Sequence, residues 1–265
     1  MSGTSTYIHG TEPGEQERLA ALNRLTNQAF VSFLDVRPGL RVLEAGSGLG
    51  LLARDVSTAA ANVSVVGVEQ SPRQLAAATK SPAVRYVQGD AHALPLADES
   101  FDLVYARYVL EHVGDPGAML REMNRVTRKG GRVAVCENDI SLLRVDPPCP
   151  AFESVWALFQ QHQSRLGGDS HIGRRLFRLF REAGLTRIQL SLQPDVHWSG
   201  SPQFAAWVRN IIGNVESAQE ALVADQLCTR LQIEAAVAEL EDLLTNEQAS
   251  SCFAWNRAIA MKPEA

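Results

Sequence analysis

The chain has 265 residues, of which 45% are hydrophobic and 21% charged, and its formal net charge at pH 7 is −5. This apolar fraction excludes a disordered protein, and the acidic balance disfavours nucleic acid or an anionic membrane as a partner. We find neither an apolar run of the ~18 residues that a membrane span needs nor a secretory pattern at the N-terminus. The four cysteines lie far apart, which predicts free thiols in a reducing cytoplasm and no metal site.

Helix and strand patterns alternate over the first 140 residues. Apolar residues at three- and four-residue steps predict a helix over 15–34. Ser71-Pro72 predicts a helix start, because serine caps and proline suits the first turn. Strands are predicted at 41–45, 63–68, 84–87, 101–105 and 132–136, with intervening helices at 51–60 and 116–127. This alternation predicts a parallel sheet covered on both faces, whose strand ends meet at one ligand-binding edge.

The second half has a different pattern. Helices are predicted over 151–166 and 173–183, followed by a strand over 186–192. Residues 201–247 show helical patterns without a strand, and a last strand is predicted over 251–261. We interpret the helical block as an insertion between two strands.

A glycine-rich loop follows the first predicted strand. Gly46, Gly48 and Gly50 alternate, which lets the backbone turn tightly and approach a nucleotide-like ligand. A dinucleotide fingerprint would place its third glycine one residue later. Glu44, inside the end of the strand, would not favour a pyrophosphate but suits a positively charged, amino-acid-like group.

Two further carboxylates end the next strands. Glu69 ends the second strand, where it can accept hydrogen bonds from both hydroxyls of a ribose. Asp90, preceded by Gly89, ends the third strand and can accept from the exocyclic amine of an adenine. The amide of Ala91 can donate to a ring nitrogen. This combination favours an adenosine ligand with a cationic tail.

These pieces resemble a class I S-adenosylmethionine-dependent methyltransferase of the small-molecule type. The matching segments run from residue 40 to 140 without a gap, and they are 42–50, 68–71, 88–91, 94–95, 100–104, 110–113 and 129–132. The resemblance implies a Rossmann-like α/β fold with seven strands in the order 3-2-1-4-5-7-6, strand seven antiparallel. It also implies an N-terminal helical cap (1–34) on a methyltransferase domain (35–265), with a helical insertion (200–248) over the active site.

The resemblance assigns cofactor contacts residue by residue. Gly46, Ser47 and Gly48 would wrap the methionine part, although cysteine is common at the Ser47 position. The resemblance also implies contacts from residues already discussed, Glu44, Glu69, Gly89, Asp90 and Ala91. It adds Gln70 beside the adenine, Ala106 and Arg107 near the methionine end, and Tyr7 and Gln28 from the N-terminal segment. For Arg107, pairing with the methionine carboxylate and an ordinary surface position both remain open.

The implied reaction is in-line methyl transfer from S-adenosylmethionine, which leaves S-adenosylhomocysteine, to a small organic acceptor. It needs no metal, and it needs a base only when the acceptor must lose a proton. The base candidates are His9, His171 and Glu137, with His112, His197 and Asp139 as further possibilities.

Three alternatives to this function stay open. An NAD-dependent oxidoreductase is one, a protein that binds the cofactor without methylating is another, and a methyltransferase acting on a macromolecule is the third. The oligomeric state, monomer or homodimer, is also open.

Overall fold

The computed structural model describes residues 13–264. In that range the chain forms eight α-helices and eight β-strands. The helices are α1 (Pro13–Leu34), α2 (Leu51–Ser57), α3 (Pro72–Ala77), α4 (Pro116–Val126), α5 (Pro150–Arg165), α6 (Leu176–Glu182), α7 (Phe204–Ala224) and α8 (Arg230–Thr245). The strands are β1 (Arg41–Ala45), β2 (Ser64–Glu69), β3 (Val84–Gln88), β4 (Phe101–Arg107), β5 (Thr127–Glu137), β6 (Arg144–Asp146), β7 (Thr186–Trp198) and β8 (Ser250–Met261).

Local sequence signals account for most of these bounds. The Ser71 hydroxyl accepts a hydrogen bond from the Gln74 amide and Pro72 opens α3, as predicted. α2 ends at Ser57, three residues before the predicted end. β7 continues past the predicted end at Leu192 as far as Trp198, although it contains Pro194. Proline is tolerated there because β7 pairs with β8 alone among the described strands.

The described residues divide into two compact units, which we treat separately. The parallel-strand unit comprises Thr26–Asn138, His171–Gln193 and the chain from Trp255 onward. The helical unit comprises the described residues up to Leu25, together with Asp139–Ser170 and Pro194–Ala254. This division differs from the expected cap at 1–34 and domain at 35–265. The expectation that the 200–248 segment covers the active site stays a prediction.

The parallel-strand unit contains the predicted sheet. Its strands follow the order β3-β2-β1-β4-β5-β8, and β7 pairs with β8. β8 runs antiparallel to β5. Counting β7 and β8 as the expected sixth and seventh strands gives the expected order 3-2-1-4-5-7-6, from which the eight-stranded sheet differs by one additional strand next to β8. The short strand β6 was not expected from the sequence.

The core of this unit lies on both faces of the sheet. Leu43, Val104 and Val133, from three adjacent strands, are fully buried. Parallel strands carry continuous apolar runs because helices cover both faces. Met119 of α4 and Phe180 of α6 belong to the same buried cluster. The sheet therefore positions the ends of β1–β4 rigidly.

The helical unit consists mainly of α5, α7 and α8, which pack on one another. The Glu239 carboxylate of α8 accepts hydrogen bonds from the Ala151 and Phe152 amides, at 2.8 and 3.1 Å, and so caps α5. β6 pairs here with the beginning of β8. Among the helices of residues 13–264, none is long and apolar enough to cross a bilayer.

Candidate functional site

The glycine loop after β1 folds back onto the end of β2. The amides of Gly46 and Ser47 both donate to the Val68 carbonyl, at 2.8 and 3.0 Å. Gly46 has φ +79°, and a Cβ there would lie 2.6 Å from the Val109 side chain. A side chain is therefore excluded at this turn, both because φ is positive and because Val109 occupies the place that a Cβ would take.

Gly50 meets a different constraint. It has φ +67° at the start of α2, and a Cβ there would collide with the Tyr86 hydroxyl of β3. That hydroxyl donates to the Thr79 carbonyl at 2.8 Å. The third glycine of the loop is thus required by packing against Tyr86, a residue that sequence reasoning did not single out.

Glu69, the last residue of β2, braces the loop. Its Oε2 accepts a hydrogen bond from the Gly48 amide at 2.9 Å, and its Oε1 accepts from the Ser71 amide at 2.8 Å. An ionised carboxylate has about four acceptor positions, so two protein donors leave room for two ligand hydroxyls. The geometry fits the predicted role in binding a ribose.

Asp90 lies just beyond β3, the neighbour of β2 in the sheet. Its Oδ1 accepts hydrogen bonds from the backbone amide and the ring Nδ1 of His92, both at 2.8 Å. The His92 amide lowers the pKa of the Asp90 carboxyl, which stays ionised at neutral pH. Within the described residues no hydrogen bond falls on Oδ2. The carboxylate is half exposed and keeps one oxygen available to a ligand.

Three buried polar atoms near the glycine loop lack hydrogen-bond partners among residues 13–264. They are Oε2 of Glu44, Oγ of Ser47 and the hydroxyl of Tyr105. Glu44 and Tyr105 are register partners on β1 and β4. Unpaired buried polar atoms are rare and commonly mark a missing ligand or water. Tyr105 could have been anticipated as a polar residue that β1–β4 pairing places opposite Glu44.

Burial changes the chemistry of Glu44. It raises the pKa of the carboxyl to about 8, although the Arg107 charge and the nearby Tyr105 hydroxyl partly oppose the shift. A cation placed against this carboxyl would favour its ionised form. The predicted contact with a positively charged group therefore couples binding to proton release.

Arg107 ends β4 next to Ala106, and both are buried. Its guanidinium donates to the Thr26 hydroxyl at 3.2 Å and to the Asn27 side-chain oxygen at 2.6 Å, both on α1. It also lies over the Phe30 ring, 5.7 Å from the centroid. The alternative of an ordinary surface arginine is wrong, because these α1 side chains enclose it. Pairing with a methionine carboxylate stays a prediction.

The resemblance implies a role for Gln28 on α1, but the neighbours of Gln28 make the contacts seen in the structure. Gln28 is exposed, whereas Thr26 and Asn27 are buried against Arg107. Gln70 is also exposed. Gly89 is set by packing, since a Cβ there would lie 2.7 Å from the Pro95 ring. The ligand contacts of Gln28, Gln70 and Gly89 remain predictions.

Glu137 ends β5 in a fully buried position. Its Oε1 accepts hydrogen bonds from the Val109 and Leu110 amides, at 3.0 and 2.8 Å, which fixes the turn after β4. Burial, followed by repulsion from Glu111, raises the pKa of Glu137 well above its usual range. These contacts give Glu137 a positioning role in the fold, and its role as a base stays a prediction.

The remaining base candidates are divided between the two compact units. His171 precedes a 3₁₀ turn at Ile172–Arg175 in the parallel-strand unit. His112 lies in the 3₁₀ turn Leu110–His112. His197 and Asp139 belong to the helical unit, where His197 is buried and stacks on Trp207 with ring centroids 5.1 Å apart. Tyr7 and His9 lie outside the described residues.

Comparison with known proteins agrees with this arrangement. Residues 43–135 match the family model for a methyltransferase domain. An uncharacterised 37.1 kDa protein from a Streptomyces fradiae transposon is 36% identical over 169 residues, covering 61% of this chain and 48% of the relative. Demethylmenaquinone methyltransferase from Beutenbergia cavernae is 37% identical over 141 residues, covering 53% and 55%. The chain thus spans about half the length of these curated relatives.

A solved structure has the same fold. Haemonchus contortus phosphoethanolamine N-methyltransferase 2, in complex with phosphomonomethylethanolamine and S-adenosylhomocysteine, superposes with a TM-score of 0.54 at 20% identity. The match covers 94% of this chain and 52% of that one. Residues 43–135 are therefore similar to a methyltransferase domain, and the chain has the Rossmann-like α/β fold of the similar structure.

Proposed function

We propose that this chain transfers a methyl group from S-adenosylmethionine to a small organic acceptor. One observation carries the proposal: Glu69 and Asp90 end the adjacent strands β2 and β3, beside the glycine loop that follows β1. The methyltransferase domain match over 43–135 covers all three features and supports it. The named relative from Beutenbergia cavernae and the similar structure from Haemonchus contortus are both methyltransferases.

The residues present fit this cofactor. Glu69 keeps acceptor positions for two ribose hydroxyls, and Oδ2 of Asp90 is available to the adenine amine. Oε2 of Glu44 and Oγ of Ser47 are buried and have no hydrogen-bond partner within the described chain. In our proposal, polar groups of the ligand supply these hydrogen bonds. The positive φ of Gly46 sets the turn that leads from β1 into Ser47 and Gly48, the residues proposed to hold the methionine part.

When bound, the cofactor supplies an activated methyl group on a positively charged sulfur. The protein has to hold the donor in one orientation, bring an acceptor into line and exclude water. In our proposal Glu69 and Asp90 fix the adenosine, the glycine loop holds the methionine part, and the Glu44 carboxylate pairs with the positive charge of that part. A base, for which His9, His171 and Glu137 are the candidates, is needed only for acceptors that lose a proton.

For the methyl acceptor we propose a chemical class, a small organic molecule. One of the two similar methyltransferases is named for demethylmenaquinone and the other for phosphoethanolamine, which are different small molecules. The net charge of −5 disfavours a nucleic-acid acceptor. We therefore propose that residues outside 43–135, which the family model does not match, select the acceptor.

Calorimetric titration with S-adenosylhomocysteine tests the proposal. The native chain should bind it, and Asp90→Ala should weaken binding at least tenfold, about 1.4 kcal/mol. Asp242→Ala, which removes an exposed carboxylate from α8, is the matched control and should bind like the native chain. Binding of NADH in place of S-adenosylhomocysteine would overturn the proposal. Cofactor binding without methyl transfer to any small acceptor would instead favour the non-methylating alternative.

A further inference from the structure

His92 makes two hydrogen bonds to the same oxygen of Asp90. Its backbone amide and its ring Nδ1 both lie 2.8 Å from Oδ1 of Asp90. An ionised carboxylate only accepts hydrogen bonds, so the hydrogen in the ring contact lies on Nδ1. Each carboxylate oxygen has about two acceptor positions, and these two donors occupy those of Oδ1. Oδ2 is therefore the oxygen that can accept from a ligand.

The ring of His92 is the side-chain contact that orients the Asp90 carboxylate. Within residues 13–264 the ring makes no other hydrogen bond. The side chains of His92 and Asp90 are 33% and 50% exposed, so burial does not hold the carboxylate in place. The last torsion of an aspartate side chain has broad minima, and the carboxylate plane turns easily unless a contact fixes it. The backbone amide holds Oδ1 at one point, and the ring adds the second.

The backbone of the loop after β3 is anchored separately, by two side chains of α4. Oε2 of Glu122 accepts a hydrogen bond from the Leu94 amide at 2.8 Å, and Arg125 donates to the Leu94 carbonyl at 3.0 Å. Neither contact involves the ring of His92. Removing that ring should therefore leave the loop backbone in place and release only the carboxylate of Asp90.

We propose that His92 is a positioning residue that orients Asp90 toward the exocyclic amine of an adenine. The inference rests on the proposed function, in which Oδ2 of Asp90 accepts a hydrogen bond from this amine. With Oδ1 occupied by His92, the carboxylate presents Oδ2 in one orientation. A fixed acceptor favours a base that carries a donor at this place and rejects one that carries an acceptor.

Selectivity for the base is the consequence of this arrangement. Adenine carries an amine on the ring carbon where hypoxanthine carries a carbonyl oxygen, and that oxygen would face the Asp90 carboxylate acceptor to acceptor. S-adenosylhomocysteine and S-inosylhomocysteine differ in this base alone, so the native chain should bind the adenine compound more tightly. A carboxylate released from the His92 ring can turn away from the carbonyl. Loss of the ring should therefore weaken binding of the adenine compound more than binding of the hypoxanthine compound.

Calorimetric titration of the full chain with both compounds tests this role. His92→Ala should reduce the ratio of the two association constants by about fivefold or more, because the loss falls on the adenine compound. His92→Leu fills part of the space of the ring without a donor and should reduce the ratio in the same way. His92→Asn is the matched control. Its side-chain nitrogen can take the place of Nδ1 and donate to Asp90, so the ratio should stay within about twofold of the native value.

The ratio separates positioning from a general structural effect. If the ring of His92 only supported the fold, the alanine and leucine variants would bind both compounds less tightly by the same factor, and an unchanged ratio would overturn the inference. An asparagine variant that loses the ratio as fully as the alanine variant would overturn it as well. Circular dichroism verifies that each variant is folded. A native chain that binds neither compound would overturn the proposed function and this inference with it, whereas native binding with an unchanged ratio in the variants overturns the inference alone.

Discussion

The guanidinium of Arg107 donates a buried hydrogen bond of 2.6 Å to the side-chain oxygen of Asn27. The side-chain nitrogen of Asn27 in turn donates a hydrogen bond to the Asp55 carboxylate at 2.6 Å. One side chain of α1 thereby connects the last residue of β4 with α2, the helix that follows the glycine loop. This contact makes Asn27 a positioning residue for both.

Replacing Asn27 with alanine should destabilise the protein by about 2 kcal/mol, because the buried Arg107 and the partly exposed Asp55 each lose a hydrogen-bond partner. The neighbouring Gln28→Ala removes an exposed side chain and should change stability by no more than about 0.5 kcal/mol. Urea unfolding of the two variants measures this difference. Equal stabilities would show that the hydrogen bonds of Asn27 contribute nothing.

Glu44 should make stability depend on pH. Its carboxyl has a pKa of about 8 in the folded chain against 4.5 as the ordinary value, so the folded state holds more protons between these limits. Stability should therefore fall as pH rises from about 5 to 8, with a slope of up to about 1.4 kcal/mol per pH unit from this group.

Glu44→Gln removes this titration. As pH rises from about 5 to 8, the unfolding free energy of this variant should increase relative to that of the native chain. Urea unfolding of both proteins at each pH measures this difference. A difference that stays constant with pH would contradict the raised pKa.

Gly50→Ala should be destabilising for two separable reasons. The positive φ alone costs roughly 1–2 kcal/mol for a non-glycine residue, and the clash with Tyr86 adds about 1–3 kcal/mol. Gly167→Ala is the matched control, since Gly167 has φ +85° and no atom within 4 Å of the place that a Cβ would take. Thermal or urea unfolding of both variants separates strain from clash. Similar losses in the two would remove Tyr86 from the explanation.

Glu137 offers a test between positioning and catalysis. Glu137→Gln keeps an oxygen for the Val109 and Leu110 amides and should stay within about 1 kcal/mol of native stability, whereas Glu137→Ala should lose about 2–4 kcal/mol. If Glu137 only positions the turn, the glutamine variant should also keep its turnover. A stable but inactive glutamine variant would instead support the predicted base.

Periodicity predicted the strands of the sheet because burial between two helical layers imposes continuous apolar runs on β1, β4 and β5. The cap at Ser71 was predictable because it depends on neighbours three residues away. The three-residue strand β6 could not be predicted, since its pairing with β8 joins segments about 105 residues apart in sequence. Long-range pairing of this kind leaves no local pattern.

Some residues of the candidate site could likewise be located from local sequence, and others could not. The loop glycines, Glu69 and Asp90 follow their strands directly, so the sequence located them. The contact of Asn27 with Arg107 could not be located in the same way, because one residue along a helix turns a side chain through about 100°. Which side of α1 meets Arg107 depends on tertiary packing alone. The raised pKa of Glu44 likewise comes from burial by residues distant in sequence.

The contact between Gly50 and Tyr86 changes how the glycine loop should be compared across related chains. Gly46 makes way for Val109 in the turn after β4, and Gly50 makes way for a tyrosine on β3. Positions 50 and 86 should therefore vary together during evolution, independently of which molecule the loop holds. In a relative with a small residue at position 86, only the strain of the positive φ would still favour a glycine at position 50.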